Sequence, residues 1–283
     1  MRVNLKLWQS FVMGSMLHLS IKIQSGASQT LPFQFGDSNI DTQTSTLDDD
    51  SSIEFTLDNP MPFIGERKNT FYQNTNGVIS FDEPYKSFRW TGDFPTKLLP
   101  DLVAAYWTDI DIRPGGADTN QLFARSTTQT KDIEKAEELI QKHEDGSEFS
   151  PKYTAVITYN RVNRFSMDTS VENSFQVAFA YNETDTWVIL AYSQLEFFDA
   201  DSSAVGALIG YNGEILPQGN LIQNISSNEG MRTFLNDTNC DQNGVYAYRL
   251  AKGKIPPVLW IDGFIAKIGV CADAFWAFVG VGG

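Results

Sequence analysis

The chain has 283 residues, of which 42% are apolar and 13% aromatic, and its 35 acidic and 21 basic residues give a formal net charge of −14. The length permits a large core and the apolar fraction excludes a disordered chain, while the acidic excess argues against a nucleic-acid partner, because phosphate contacts need clustered cations. Two cysteines and two histidines exclude a disulfide-built scaffold and a cysteine-rich zinc module, and they leave little room for histidine-based catalysis.

The amino terminus has the order of a secretory signal peptide. Arg2 and Lys6 precede an apolar stretch over residues 7–19, and small residues follow at 26–28. A basic start, an apolar middle and a small-residue exit predict cleavage after Ser28, so that residues 1–28 are the leader and the protein is secreted. A disordered tail and a short buried helix are the alternatives. The leader contains three cations and no anion, so its removal makes the chain more acidic.

Alternating patterns predict a mainly β chain. Apolar and polar residues alternate over 52–57 and again over 175–181, which places one face of each strand on a core and the other toward water. Further β-prone runs cover 78–81, 155–159, 187–192, 204–211 and 245–250.

Three Asn-Gly pairs, at 76–77, 212–213 and 243–244, favour type I′ turns, because both residues tolerate a positive φ. The first pair predicts a tight hairpin between residues 71–75 and 78–81.

One segment has a helical pattern. Residues 132–143 are rich in Glu, Lys, Ala, Ile and Leu, and Thr128 or Thr130 is placed to cap their start. Apolar residues fall at helical spacing at Ile133, Ala136 and Ile140. The sequence therefore predicts an antiparallel β-sandwich with one inserted surface helix.

Two kinds of modification are predicted near strand ends and turns. Asn182, Asn224 and Asn236 each begin an N-x-S/T sequon, which agrees with a secretory route and predicts N-glycosylation. Cys240 and Cys271 are predicted to form one disulfide in an oxidising compartment, and two free thiols are the alternative.

The chain carries no recognisable catalytic motif: it has no G-x-S-x-G elbow, no phosphate-binding glycine loop and no H-E-x-x-H. We therefore predict a non-enzymatic protein. Asp109 and Asp111 lie two residues apart, so a strand would point both carboxylates to one side, where they are candidate ligands of Ca²⁺. Hydrogen bonding of both to loop amides is the alternative, and no other cofactor is predicted. A glycan hydrolase would need two carboxylates facing each other across roughly 5–10 Å.

Several elements, in this order over residues 31–250, resemble the NIDO domain family, the extracellular domain of nidogen that alpha-tectorin and mucin-4 also contain. The segment 74–81 resembles the family's asparagine–glycine hairpin, 104–111 its P-F-W-x-D-x-D element, and 173–176 its N-T-F-Q element. Tyr106 and Tyr159 depart from the family, which has Phe and Trp there. The motif residues are Asn76, Gly77, Phe81, Trp107, Asp109, Asp111, Phe175 and Gln176.

The resemblance implies a secreted, non-enzymatic interaction domain of the extracellular matrix in cell–matrix adhesion. Its partners would be matrix or cell-surface proteins. A calcium-dependent binding module is the first alternative function, and a carboxylate-based glycan hydrolase is the second. Trp90 is either an exposed contact or a core residue.

The predicted organisation is a signal peptide at 1–28, one β domain at 29–250 and an apolar tail at 251–283 without an assigned role. Charged residues interrupt the tail, so no run reaches the roughly 18–20 apolar residues of a membrane span.

Overall fold

Antiparallel β-sheets dominate the computed structural model, which describes residues 29–44, 48–113, 118–166, 168–198, 206–213, 219–251, 259–261 and 264–266. The predicted leader, Cys271 and most of the predicted tail lie outside these residues. The strands are β1 Thr42–Gln43, β2 Ser52–Phe63, β3 Glu66–Asn74, β4 Val78–Ser80, β5 Leu102–Trp107, β6 Ile110–Asp111, β7 Gln121–Thr127, β8 Tyr153–Arg164, β9 Asp168–Tyr181, β10 Thr186–Gln194, β11 Ala207–Asn212, β12 Gly219–Ile225, β13 Val245–Ala251, β14 Leu259–Ile261 and β15 Phe264–Ala266. The helices are α1 Thr130–Gln141 and α2 Asn228–Asn236, with a 3-10 turn at Glu144–Gly146.

Two sheets form the sandwich. Sheet A has the strand order β1-β7-β8-β9-β10-β13, with β6 also paired to β8, and sheet B has the order β12-β11-β5-β4-β3-β2. Every pairing is antiparallel, and β14 and β15 pair with each other. The largest apolar cluster draws on both sheets and lies between them. The predicted antiparallel β-sandwich is confirmed.

The centre of sheet A is buried on both faces. On β9, Phe175, Val177 and Phe179 enter the core between the sheets, while Ala178 and Ala180 belong to a second apolar cluster on the outer face. The alternation is the predicted one, but the expectation that the second face meets water is wrong here. The reason is that α1 covers that face.

Buried tyrosines connect the two sheets. The Tyr159 hydroxyl on β8 donates to the Asn74 carbonyl at 2.6 Å, and the Tyr192 hydroxyl on β10 donates to the Ala105 carbonyl at 2.5 Å. Burial raises the pKa of both phenols well above the ordinary value, so both stay neutral donors. Tyr159 is one of the two departures from the family pattern, and its hydroxyl makes a bond that tryptophan would not make.

Helix α1 packs on the outer face of sheet A. Ala136, Leu139 and Ile140 are fully buried in the outer apolar cluster, in contact with β8, β9 and β10. The predicted helix is confirmed, but the predicted cap is wrong. Gln129 occupies the N-cap position and makes no side-chain capping bond, and Thr130 is already helical.

A buried ion-pair group fixes the first turn of α1. Arg125 on β7 donates to Asp132 of α1 at 2.9 Å and to Asp41 at 2.7 Å. All three side chains are at least nine-tenths buried. Burial disfavours the charged guanidinium, but hydrogen bonds to the two carboxylates outweigh it and raise the pKa of Arg125.

A second helix, α2, corrects the prediction of one helix. Ser227 caps it, since its side chain accepts from the Gly230 N–H at 3.0 Å. Met231 and Phe234 point into the core, where the Phe234 ring stacks on Tyr246 with centroids 4.4 Å apart. The spacing of these apolar residues and the N-cap serine are the signals that could have predicted the helix.

The outer face of sheet B is covered by an irregular segment, residues 82–101, called here the covering loop. It encloses a small apolar cluster around Trp107 and Leu102, against which Tyr85, Trp90 and Phe94 pack in part. The Trp107 indole N–H donates to the Ser87 carbonyl at 2.9 Å and so holds the loop on the sheet.

Candidate functional site

The predicted asparagine–glycine hairpin connects β3 to β4 and joins other segments to it. Gly77 has a φ of +77°, and a Cβ there would lie 2.2 Å from the Tyr106 carbonyl oxygen, so glycine is required. The Tyr106 N–H donates to the Gly77 carbonyl at 3.2 Å. Asn76 Oδ1 accepts from the Ile110 N–H at 2.8 Å, and Asn76 Nδ2 donates to Asp50 at 2.6 Å. The motif is therefore a structural junction.

The turn at this hairpin differs from the predicted type I′. A type I′ turn needs two positive φ values, and of the pair only Gly77 has one. The connection spans residues 75–77, a three-residue loop with glycine in the left-handed position. Asn74 Oδ1 accepts from the Asn76 N–H at 2.6 Å, which holds the asparagine in its negative-φ conformation.

Asp109 lies in an acidic group that the sequence did not predict. Carboxylate oxygens of Asp49, Asp50 and Asp109 all lie within 4.8 Å of one another, and we call these residues the aspartate trio. Burial, followed by the charges of Asp50 and Asp111, raises the pKa of Asp49. The loop that precedes β2 thus folds onto the segment that follows β5.

Asp111 is outside the trio and is paired differently from Asp109. Its carboxylate is fully buried and accepts two bonds from the Arg113 guanidinium, at 2.9 and 2.6 Å. Arg113 also reaches Asp49 at 3.1 Å. The structure thus groups Asp109 with Asp49 and Asp50 and pairs Asp111 with Arg113, and calcium binding at Asp109 and Asp111 stays a prediction.

A second acidic group contains its own cation. Lys68 is 1% exposed and lies among Glu66, Asp82 and Asp101, with its ammonium 2.6 Å from Asp101. Burial disfavours the ammonium, but hydrogen bonds to Asp101 and Asp82 outweigh it and raise the pKa of Lys68. We interpret this group as a buried structural ion-pair cluster.

The covering loop combines buried and exposed apolar side chains. Trp90 is half-buried, and its indole N–H donates to the Asp93 carbonyl at 2.9 Å, so it is partly a core residue. Phe88 is 37% exposed and Leu98 is 82% exposed. The Arg89 guanidinium lies 5.1 Å from the centre of the Phe88 ring.

The described residues of sheet A line a larger and a smaller cavity. The larger, about 610 Å³, lies between residues 29–40 and strands β8–β10. The smaller, about 440 Å³, is called here the Asn182 cavity. Its lining residues come from the segment after α1, the β9–β10 turn and β13: Glu144, Asp145, Ser147, Glu148, Phe149, Ser150, Asn182, Asp185 and Arg249.

The predicted modification sites have different surroundings. Asn224 on β12 and Asn236 at the end of α2 are exposed, while Asn182 is half-buried in the β9–β10 turn. Cys240 is fully buried, and its sulfur lies 3.2 Å from the Val245 carbonyl oxygen. Its predicted partner, Cys271, lies outside the described residues, so the bridge stays a prediction.

The remaining motif residues are architectural. Phe81, Trp107 and Phe175 are at most 1% exposed and pack in apolar clusters. The Gln176 side chain donates to the Phe33 carbonyl at 2.9 Å and accepts from the Phe33 N–H at 3.1 Å. It thereby ties the segment before β1 to β9.

The chain resembles domains of much longer proteins. Human alpha-tectorin is 26% identical over 263 residues, which is 89% of this chain and 12% of that protein. Nidogen of Drosophila melanogaster is 26% identical over 209 residues, or 72% of this chain and 15% of that protein. Mouse nidogen-2 is 28% identical over 177 residues, which is 59% of this chain and 12% of that protein. Nidogen and alpha-tectorin are extracellular matrix proteins.

Neither helix in the described part of the chain is long and apolar enough to cross a membrane. No solved structure matches the chain. A family model described as a nidogen-like domain matches residues 69–252. Because that match covers more than half of the chain, the chain belongs to the nidogen-like (NIDO) domain family.

Proposed function

We propose that this chain is a secreted, non-enzymatic interaction domain of the extracellular matrix, and that it acts in cell–matrix adhesion by binding matrix or cell-surface proteins. The family and the matrix relatives support the location. The proposed binding contact rests on one observation: exposed apolar and basic side chains occur together in the covering loop. The chain spans only 12–15% of these relatives, so the partner is proposed for this domain alone.

The covering loop offers anchored apolar side chains. Phe88 and Leu98 are exposed, whereas Tyr85 and Phe94 of the same loop pack on sheet B. A loop fixed at its base loses less conformational entropy on binding than a free loop. Exposed aromatic and aliphatic side chains on such a base are suited to fill pockets of a partner.

Exposed cations in the middle of the loop indicate which charge the partner surface would carry. Lys86, Arg89 and Lys97 are exposed in the middle of the loop, residues 84–98, where Asp93 is the one acid, whereas Asp82, Glu83 and Asp101 lie at the two ends of the loop. Complementary charge steers association and suppresses wrong partners. The proposed partner surface therefore combines apolar pockets with acidic groups.

The test is binding of the purified chain to decellularised matrix. We expect a Phe88→Ser/Leu98→Ser double variant to lose binding by about tenfold or more, as expected when central apolar anchors are removed. Phe165→Ser is the matched control, because Phe165 is 39% exposed on the β8–β9 turn, outside the loop. Equal binding by the double variant and the control would contradict the proposed contact face.

Absence of catalysis is tested separately at the Asn182 cavity, whose lining includes four carboxylate side chains. We expect no release of reducing sugar from matrix glycans. Release by the unmodified chain that Glu148→Gln abolishes would instead assign a hydrolase.

A calcium-dependent binding module is the second candidate, and the aspartate trio favours it. Asp49 Oδ1 is buried and has no hydrogen-bond partner among the described residues. Calcium prefers six to eight oxygen ligands, so water would complete the shell. We expect added Ca²⁺ to raise Tm, and Asp109→Asn to abolish the rise. Asp48→Asn, an exposed neighbour of the trio, is the control. Absence of both calorimetric heat and a Tm shift in the unmodified chain would remove this candidate.

A further inference from the structure

The Asn182 cavity and the Asn182 sequon lie at the same place. The Asn182 side chain itself lines the cavity of about 440 Å³, so a sugar attached to it starts at the cavity wall. We infer that the first N-acetylglucosamine of an Asn182-linked glycan lies in this cavity. The inference rests on the proposed secretion, because N-glycosylation takes place on the secretory route.

The carboxamide of Asn182 has a fixed orientation. Its Oδ1 accepts from the N–H groups of Thr184 and Asp185, both at 3.0 Å, and from the Thr184 hydroxyl at 3.1 Å. Its Nδ2 donates one proton to the Ser150 carbonyl at 3.2 Å. A glycosidic linkage replaces one of the two N–H bonds of Nδ2 and leaves one proton to donate. The sugar therefore begins from a held amide and not from a rotating side chain.

The cavity walls suit a neutral, hydroxyl-rich ligand. Glu144, Asp145 and Glu148 supply carboxylate oxygens, which accept from sugar hydroxyls and repel an anion. Arg249 also lines the cavity, and its Nε is buried without a hydrogen-bond partner among the described residues. The acetamide carbonyl of the sugar would accept a hydrogen bond from this donor. A buried donor without an acceptor costs free energy. Arg249 also pairs with Asp185 at 3.0 Å, which fixes its position.

The other two sequons serve as internal references. Asn224 lies on β12, the edge strand of sheet B, and Asn236 ends α2, and both are exposed. Neither lines the Asn182 cavity. Glycans at these positions extend into solvent, so we expect their removal to leave folding stability almost unchanged.

The test uses the full chain secreted with high-mannose glycans, in an Asn224→Gln/Asn236→Gln background that keeps only Asn182. Endoglycosidase H leaves one N-acetylglucosamine on the asparagine, and the bacterial product carries none. We expect the single-sugar form to keep the Tm of the glycosylated form and to exceed the bare form by about 2–4 °C, the shift of a modest stabilisation in a domain of this size. Asn182→Gln, with the other two sites occupied and trimmed in the same way, should show no such gain.

Arg249→Lys sharpens the result, because it keeps the positive charge and removes the Nε donor. We expect it to reduce the difference between the single-sugar and bare forms. In the unmodified secreted chain, an Asn182 without glycan beside glycosylated Asn224 and Asn236 would overturn this inference and leave the proposed secretion intact. A trimmed form no more stable than the bare form would do the same. A retained leader with all three sequons empty would overturn the proposed secretion as well.

Discussion

The two outer faces of the sandwich are covered in different ways. On sheet A, helix α1 buries Leu139 and Ile140 completely, and the buried Arg125 group fixes its first turn. On sheet B, the irregular covering loop buries part of its aromatic side chains and leaves Phe88 and Leu98 exposed. The difference indicates that the cover of sheet A contributes mainly to folding stability, while the cover of sheet B leaves apolar side chains exposed, where we propose the contact with a partner.

The cations on the two faces follow the same division. Arg125, under α1, is surrounded by carboxylates of its own chain. Lys86 and Lys97, in the covering loop, are exposed, and no ion pair involves either within the described residues. A buried paired charge fixes a fold, whereas an exposed one is available to a partner.

The largest expected effect is at Arg125. Arg125→Ala leaves the buried carboxylates of Asp41 and Asp132 without their cation, so we expect a loss of about 3–5 kcal/mol in the free energy of unfolding. Lys97→Ala, on the other cover, should change it by less than about 0.5 kcal/mol. Chemical denaturation measures both. A loss below about 1 kcal/mol for Arg125→Ala would show that the ion-pair group does not hold α1.

A matched pair of leucines compares the covers directly. Leu139 of α1 is fully buried and Leu98 of the covering loop is 82% exposed. Leu139→Ala creates a cavity, so we expect it to cost about 2–5 kcal/mol, while Leu98→Ala should stay within about 0.5 kcal/mol. Equal losses in urea denaturation would contradict the division between a stabilising and a contacting cover.

The smallest expected effect is the contribution of Asp49 to the pH dependence of folding stability. Because its folded pKa is raised, the folded state binds this proton more tightly than the unfolded chain does. Its contribution favours folding below the unfolded pKa of about 3.9 and weakens as pH rises through the folded value.

We therefore expect Asp49→Asn to be slightly more stable than the unmodified chain at pH 7 and equally stable at pH 3. Thermal melting at several pH values measures this difference. A variant that is less stable at pH 7, with the gap closing on acidification, would reverse the sign and show that the Arg113 contact dominates.

The elements that depend on a local residue pattern could be predicted from the sequence. The period of two predicted β9, and the helical spacing of apolar residues predicted α1. The Asn76–Gly77 pair predicted the hairpin, but not its turn type, because the bond from the Asn76 N–H to Asn74 Oδ1 and the side-chain bonds to Asp50 and Ile110 together fix Asn76 in a negative-φ conformation. Helix α2 was missed although Ser227 signals its start, because only nine residues carry the pattern.

The candidate sites depend on long-range contacts, which a single sequence does not show. The aspartate trio joins residues about sixty positions apart, so the sequence pointed to Asp111, two residues from Asp109, and not to Asp49 and Asp50. The Asn182 cavity likewise needs Arg249 from β13 beside the β9–β10 turn. The sequence did not decide whether Trp90 is an exposed contact or a core residue, because the covering loop buries one side of the side chain and exposes the other.

Site-specific photo-cross-linking to decellularised matrix tests the contact face most directly. A photo-reactive side chain replaces Leu98 in one protein and Phe165 in another, and mass spectrometry identifies the cross-linked peptides. We expect cross-links to a matrix or cell-surface protein from position 98 and none from position 165. Cross-links from position 165 with none from position 98 would contradict this expectation, because the partner would then bind away from the covering loop.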